Sequence, residues 1–229
     1  MIRNQRHRTF EEYLKNIEVV IWDVDETMYY DEKVIVKTRQ AYVEMLEKRG
    51  FGNLTKKIKD DFDALESTGK KWYQILVEKL GVSEVEVIGL AEAGFDKSKL
   101  VKKNPRLVKM LSSGKRKNFV VSNSSRRSVF AILKKLGFVK PESFFEEVFS
   151  IENMGGLKPN ERVLLGITER ANVGPEKVLM VGDSLIDDII PAKNIGLLTS
   201  HVRCKRSEGE ADFCVKDLDE LLDIFETIR

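Results

Sequence analysis

The chain has 229 residues, of which 42% are hydrophobic and 33% are charged, so it can bury a core beneath a well-solvated surface and is not a disordered chain. Its 39 basic and 37 acidic side chains give a formal charge of only +2, which argues against a surface built to bind duplex nucleic acid. The length favours one large domain, or a core domain that carries an insert.

The N-terminal segment and the two cysteines both indicate a cytoplasmic protein. The opening sequence MIRNQRHRTFEEYLKN contains no apolar signal core, and no apolar run approaches the length of a membrane span. The segment predicts a short polar helix around Phe10, Tyr13 and Leu14. Cys204 and Cys214 are too few for a disulfide framework, and we expect both to be reduced thiols.

Four short apolar runs are typical of buried strands, and they lie at residues 17–23, 118–122, 177–182 and 197–202. Helical periodicity occupies much of the sequence between the later runs, at residues 125–136, 161–171 and 185–194. Strands that alternate with helices pair in parallel through crossover connections. The pattern therefore predicts an α/β fold with a Rossmann-like parallel-sheet core.

Residues 31–103 interrupt this alternation with helical periods alone. Apolar residues recur at helical spacing around Tyr42 and Leu46, Ile58, Phe62 and Leu65, Trp72, Ile75, Leu76 and Leu80, and Ile88, Leu90, Ala91 and Phe95. Ser83 followed by Glu86 fits a capping box ahead of the last stretch. We therefore predict a helical cap at residues 31–103, inserted into a core formed by residues 1–30 and 104–229.

Polar and acidic side chains stand next to the predicted strands. They are Asp23 and Asp25 after the first strand, Ser122 and Asn123 at the end of the second, Lys158 ahead of the third, and Asp183, Asp187 and Asp188 behind it. Open parallel sheets bind their ligands at the carboxyl ends of the strands. These residues are therefore predicted to share one site.

The residue types in this predicted site match the needs of phosphoryl transfer. That reaction requires a nucleophile, a proton donor for the departing oxygen, and positive charge around the phosphoryl oxygens. Asp23 is the candidate nucleophile, Asp25 the candidate acid and base, and Lys158 a source of positive charge. Lys158 alone does not balance the carboxylates and a phosphate dianion, so a hard divalent cation is expected, and Mg²⁺ suits such oxygen ligands.

Four sequence motifs in this order, DVDET, VVSNS, GGLKP and GDSLIDD, resemble those of the haloacid dehalogenase-like (HAD) phosphatase superfamily. The insert resembles the type 1 cap of that family in position and helical character. The resemblance implies that Mg²⁺ is held by the carboxylates of Asp23 and Asp183 and by the backbone carbonyl of Asp25. It implies further that Asp188 binds the ion directly or through water, with Asp187 behind these ligands.

The same resemblance implies which groups bind the phosphoryl oxygens, namely Ser122, the backbone near Asn123, and Lys158. Family branches that act on carbon–halogen bonds lack a carboxylate at the position of Asp25, so its presence favours phosphoryl transfer. Asp25 can protonate a departing oxygen only when it starts protonated. We therefore expect the pKa of Asp25 to be raised.

Together these features predict a Mg²⁺-dependent phosphatase that hydrolyses a small-metabolite phosphomonoester through an aspartyl-phosphate intermediate. Two alternatives stay open: a phosphomutase on the same core, and a non-catalytic module that uses the pocket to bind a ligand. Simpler roles also stay open, with Ser122 as a helix cap, Lys158 as a surface lysine and Asp187 as a solvated helix residue. Whether Tyr29 and Tyr30 contact the leaving group is also left open by the sequence.

Overall fold

The computed structural model describes residues 10–50, 77, 81–114, 116–204 and 210–227. Their strands are β1 (Val19–Trp22), β2 (Lys117–Val121), β3 (Glu147–Phe149), β4 (Val178–Gly182), β5 (Leu198–Val202) and β6 (Phe213–Val215). These strands form one sheet in the order β3-β2-β1-β4-β5-β6, and every neighbouring pair is parallel. The predicted α/β class with a Rossmann-like parallel-sheet core is confirmed.

The helices of the described residues are α1 (Phe10–Leu14), α2 (Glu32–Lys48), α3 (Glu84–Gly94), α4 (Pro105–Ser113), α5 (Arg126–Leu136), α6 (Glu161–Ala171), α7 (Ile190–Asn194) and α8 (Leu218–Thr227). Short 3₁₀ helices cover Lys97–Lys99, Pro141–Ser143 and Pro175–Lys177, and a π-helical turn covers Leu185–Ile189. Among the described helices, none is both long enough and apolar enough to cross a bilayer.

The apolar strands are buried on both faces of the sheet. On one face, side chains such as Val20 and Trp22 join a core that includes residues of α1, α4, α5 and α8. On the other face, Val19 and Ile21 pack with residues of α6 and α7. Burial on both faces explains why the sequence shows unbroken apolar runs rather than alternation.

The four predicted strands are confirmed within one or two residues, but two edge strands escaped prediction. Each of these, β3 and β6, has only three residues and lies at an outer edge of the sheet. The helix predicted at residues 185–194 is interrupted, because it begins as the π-helical turn and becomes regular only in α7.

The insert is described in part. Helices α2 and α3 pack against each other in a third apolar cluster, which also takes in Ile151 and Leu157 from outside the insert. Half of the predicted capping box forms, since Oγ of Ser83 accepts a hydrogen bond from the backbone N–H of Glu86. The helices predicted around Ile58, Phe62 and Leu65, and around Trp72, Ile75, Leu76 and Leu80, lie outside the described residues. The division at residues 31–103 stays a prediction.

The expectation of two reduced thiols is wrong for this structure, because Cys204 and Cys214 form a disulfide with an S–S distance of 2.05 Å. The cause is the pairing of β5 with β6, which sets His201 opposite Cys214 and brings the two cysteine Cα atoms to 5.3 Å. Since β6 was not predicted, no pattern in the sequence indicated that these cysteines lie side by side.

Candidate active site

The predicted site residues meet at the carboxyl ends of the central strands. The chain runs outward from β1 to β2 and β3, and then returns to the other side of β1 for β4, β5 and β6. The loops that follow β1 and β4 therefore leave the sheet side by side in opposite directions, and a crevice opens between them. Asp23 follows β1, and Asp183 follows β4.

Three of the predicted carboxylates form one compact acidic cluster. Oxygen atoms of Asp23, Asp183 and Asp188 all lie within 4.8 Å of one another, and the side chains of Asp23 and Asp188 are almost completely buried. Carboxylate oxygens at this spacing are suitable ligands for a hard divalent cation such as Mg²⁺. The cluster therefore fits the ion that the sequence predicted.

Lys158 extends into the acidic cluster. Its Nζ lies 2.6 Å from Oδ1 of Asp23 and 2.6 Å from Oδ1 of Asp188. Burial alone would lower the pKa of Lys158, but the charges of Asp188 and Asp23 outweigh burial and raise it, so the ammonium form persists. The alternative of a surface lysine is wrong, because only 3% of Lys158 is exposed.

The side chain of Asn123 positions Lys158. Its Nδ2 donates to the carbonyl oxygen of Lys158 at 2.9 Å, and its Oδ1 accepts from the backbone N–H of Lys158 at 2.9 Å. These two bonds join the loop after β2 to the segment that carries the lysine. The side chain of Asn123 is thereby committed to the protein backbone, which leaves its backbone as the part available to a phosphoryl oxygen.

Burial and mutual repulsion raise the pKa values of two carboxyl groups in the acidic cluster, those of Asp23 and Asp183. Burial raises the pKa of Asp23 to about 6, with further upward contributions from Asp188 and Asp25 that Lys158 offsets in part. Burial also raises the pKa of Asp183 well above its usual range, with the charges of Asp23 and Asp188 as the next causes. Because a bound cation reduces the repulsion between these carboxylates, the cluster favours cation binding.

Asp25 lies beside the cluster and is held by three donors. The hydroxyl of Tyr29 donates to Oδ1 at 2.5 Å, while Nζ of Lys97 and Oγ of Ser124 donate to Oδ2 at 2.9 and 2.7 Å. Burial raises the pKa of Asp25, but the charge of Lys97 and the hydrogen bonds of all three donors lower it further than burial raises it. The expected raised pKa is therefore wrong for this arrangement, in which Asp25 is a carboxylate.

Lys97 and Arg203 were not singled out by the sequence. Nη2 of Arg203 lies 3.0 Å from Oδ2 of Asp183 and 3.0 Å from Oε2 of Glu26, and its guanidinium stacks on the ring of Tyr30. Lys97 precedes the similar but exposed Lys99, and nothing in the local sequence separates the two. Only the path by which the insert returns to the sheet brings Lys97 to Asp25.

The remaining predicted residues also lie at the site. Ser122 is buried and lines the cavity, and it does not cap α5, because that role belongs to Ser125, whose Oγ accepts from the N–H of Ser128. The helix-cap alternative for Ser122 is thus wrong. Asp187 is 8% exposed and lines the cavity, so the alternative of a solvated helix residue is wrong as well.

Above these residues the structure has a cavity of about 590 Å³. Its floor consists of the loops after β1, β2 and β4. The opposite side is formed by residues of the insert, which include Val34, Thr38, Arg39, Tyr42 and Lys97. Tyr29 lines the cavity, whereas the half-exposed Tyr30 packs against Arg203. The space suits a small ligand with one end at the carboxylates and the other at the insert.

Sequence comparison finds one family across most of the chain. The model of the family described as haloacid dehalogenase-like hydrolase matches residues 20–202. A relative from Methanopyrus kandleri, named glyceraldehyde 3-phosphate phosphatase, is 23% identical over 91% of this chain and 97% of its own length. A phosphoglycolate phosphatase from Vibrio vulnificus is 30% identical, over 46% of this chain and 47% of its own length.

Structural comparison agrees on the fold. The crystal structure of CbbY from Rhodobacter sphaeroides in complex with phosphate superposes with a TM-score of 0.67 at 17% sequence identity. The match covers 92% of this chain and 99% of that protein. At this level of identity the likeness establishes the shared architecture of sheet and helices.

Proposed function

This chain belongs to the haloacid dehalogenase-like hydrolase family, and from that premise we propose that it is a Mg²⁺-dependent phosphatase acting on small phosphomonoesters. One observation carries the proposal: Asp23, Asp183, Asp188 and Lys158 converge at the floor of a cavity of about 590 Å³. A nucleophile, a cation-binding cluster and a fixed positive charge in one place are the components that phosphoryl transfer requires.

In the proposed reaction, a carboxylate oxygen of Asp23 attacks the phosphorus atom and forms an aspartyl-phosphate, which water then hydrolyses. Lys158 holds Oδ1 of Asp23 in place and supplies positive charge beside the phosphoryl oxygens. Ser122 and the backbone N–H of Asn123 are proposed to bind these oxygens as well, from the loop after β2. When Mg²⁺ is bound by Asp23, Asp183, Asp188 and the backbone of Asp25, it neutralises phosphoryl charge.

Asp25 is proposed as the general acid and base. It gives a proton to the departing oxygen and takes one from the water that attacks the aspartyl-phosphate. The carboxylate seen here, with its lowered pKa, is the form that takes a proton from water in the second of these steps. The proton taken up there is the one that Asp25 gives to the departing oxygen of the next substrate molecule. Tyr29, Ser124 and Lys97 orient the carboxylate for the second step through their hydrogen bonds.

The substrate is proposed to be a small phosphorylated metabolite. The cavity is bounded by the core on one side and by the insert on the other, which limits the size of the leaving group. Relatives named for glyceraldehyde 3-phosphate and for phosphoglycolate support a leaving group of two or three carbons. Residues 31–103 are proposed to act as a cap that excludes water while the aspartyl-phosphate forms.

The test is a phosphate-release assay over a panel of small phosphomonoesters that includes p-nitrophenyl phosphate. We expect release by the wild-type protein with Mg²⁺, loss of release after treatment with EDTA, and recovery on return of Mg²⁺. Asp23→Asn is the blank, because an amide oxygen does not form the covalent intermediate. Isomerised products instead of free phosphate indicate a phosphomutase. The absence of any reaction with every ester of the panel indicates a binding module.

A further inference from the structure

Among its described residues, the insert contributes the buried ammonium group of Lys97 to the active site. Lys97 begins the 3₁₀ helix Lys97–Lys99, and only 8% of its surface is exposed. Its Nζ lies 2.9 Å from Oδ2 of Asp25 and 2.8 Å from Oγ of Ser124, and the residue lines the cavity. A buried lysine is costly unless it is paired, so its partners fix both its charge and its position.

An ammonium group has three N–H donors, and the protein uses two of those on Lys97. They are directed at Asp25 and Ser124. The next acid, Glu92, is 3.7 Å from Nζ, which makes an ion pair but is too long for a hydrogen bond. Within the part of the chain that the structure describes, the third N–H of Lys97 has no protein acceptor. Because Lys97 lines the cavity, a bound ligand can supply that acceptor.

We propose that Lys97 selects the substrate by donating this third N–H to an oxygen on the carbon next to the ester-bearing carbon of the leaving group. The substrate class that follows is the phosphate esters of short hydroxy acids and polyols, as opposed to plain alkyl phosphates. This assignment rests on the proposed phosphatase function and adds to it the group that recognises the leaving group.

The position of Lys97 relative to Asp25 determines which oxygen it reaches. The ester oxygen of the leaving group exchanges a proton with the carboxyl group of Asp25, so it binds within hydrogen-bond distance of that group. Nζ of Lys97 lies one further hydrogen-bond length away, on Oδ2 of Asp25. An oxygen on the carbon next to the ester-bearing carbon therefore lies within reach of Nζ of Lys97.

An alkyl chain in the same place leaves the third N–H of Lys97 without an acceptor from the substrate, and the described part of the protein supplies none either. Sites built to hydrogen-bond a substrate oxygen discriminate strongly against the analogue that lacks it, because a buried polar group is then unsatisfied. A second cationic residue, Arg39 of α2, lines the same cavity from the insert. The insert side of the cavity is therefore suited to oxygen-rich leaving groups.

The experiment compares kcat/KM for two pairs of esters with Mg²⁺ present. Glycerol 3-phosphate is paired with n-propyl phosphate, and 2-phosphoglycolate with ethyl phosphate, so the pairs separate a hydroxyl acceptor from a carboxylate. The variants are Lys97→Met, which keeps the length and removes the donor, and Lys97→Arg, which keeps a donor. Lys99→Met is the matched control, since Lys99 belongs to the same 3₁₀ helix and is exposed.

We expect the wild-type protein to prefer the oxygenated ester of at least one pair by about ten- to a hundredfold. Lys97→Met should reduce that preference about tenfold or more, Lys97→Arg should retain part of it, and Lys99→Met should leave it unchanged. Melting curves establish whether each variant is folded. A structural role alone would lower kcat/KM for both members of a pair by the same factor.

Equal losses on both esters in Lys97→Met overturn the assignment and leave the proposed phosphatase intact. Absence of any preference in the wild-type protein also overturns it, and that measurement does not depend on whether a variant folds. Absence of phosphate release from every ester, p-nitrophenyl phosphate included, defeats the proposed function itself and this assignment with it.

Discussion

Among the described residues, three cations pair with five acidic side chains at or beside the site. Lys158 lies between Asp23 and Asp188, Lys97 lies at Asp25, and Arg203 bridges Asp183 and Glu26. The sequence indicated only the first of these, because only Lys158 belongs to a recognisable motif, GGLKP. These five acids therefore each have a neighbouring positive charge, but the pKa values of Asp23 and Asp183 are still raised.

The pKa of Asp23 leads to a prediction about stability and pH. Its folded-state pKa is about 6 against a usual 3.8, so the folded protein binds this proton more tightly than the unfolded chain does. The contribution of Asp23 to the free energy of unfolding is therefore greatest below about pH 4 and falls as the pH rises towards 6. At pH 7.5 the ionised group destabilises the fold by roughly 1–3 kcal/mol.

Asp23→Asn removes this titration, and we expect it to raise the free energy of unfolding at pH 7.5 by a similar amount while changing it little at pH 4. The measurement is urea denaturation of both proteins at the two pH values, with EDTA present to keep divalent cations away. A variant that is less stable than the wild-type protein at pH 7.5 contradicts the prediction.

At the scale of elements, the sequence predicted the position of the end of β4 and of the turn after it, but not the conformation of that turn. The motif GDSLIDD predicted acids behind a strand, and the structure confirms that position. The π-helical turn Leu185–Ile189 could not be anticipated, because no local pattern distinguishes it from the first turn of an α-helix. The short edge strands were missed for a similar reason, since three residues carry too little periodicity.

Gly182, the last residue of β4, has a tight contact that leads to a second prediction. A Cβ at this position would lie 2.4 Å from Cβ, Cγ and Oδ2 of Asp188, which is closer than real Cβ atoms approach any neighbour. Gly182→Ala therefore displaces Asp188 from Lys158 and the acidic cluster. We expect kcat/KM for phosphate release to fall about a hundredfold, the scale of a small misplacement in an active site.

The matched control is Gly166→Ala in the middle of α6, where an added Cβ meets open space. It should keep full activity and raise the free energy of unfolding by roughly 0.5–1 kcal/mol, because alanine is the better helix former. Full activity in Gly182→Ala would show that Asp188 can move without consequence, against the arrangement described here.

At the scale of the whole molecule, the sheet explains why so much of the site was predictable. Parallel strands end at one edge, so residues far apart in sequence, such as Asp23 and Asp183, meet whenever the strand order is right. The strand order does not predict the position of Lys97, because that position depends on how the insert folds back over the sheet. The disulfide between Cys204 and Cys214 was not predicted either, since it depends on an edge strand that the sequence did not reveal.

The linkage between cation binding and folding gives the last prediction, in which Mg²⁺ stabilises the molecule as a whole. Asp23, Asp183 and Asp188 come together only in the folded state, so an ion that binds them stabilises that state alone. Mg²⁺ at about a hundred times its dissociation constant should raise the melting temperature by roughly 5–10 °C. Differential scanning calorimetry with and without Mg²⁺ measures the shift.

Asp183→Asn should lose most of this shift, because it removes a charged ligand from the cluster. Asp31→Asn is its matched control: Asp31 caps α2 away from the cavity wall, and asparagine caps a helix equally well, so the shift should persist there. An equal shift in Asp183→Asn and in the wild-type protein would mean that Mg²⁺ binds elsewhere. The acidic cluster would then have to be explained without an ion, and the proposed phosphatase would lose its cation site.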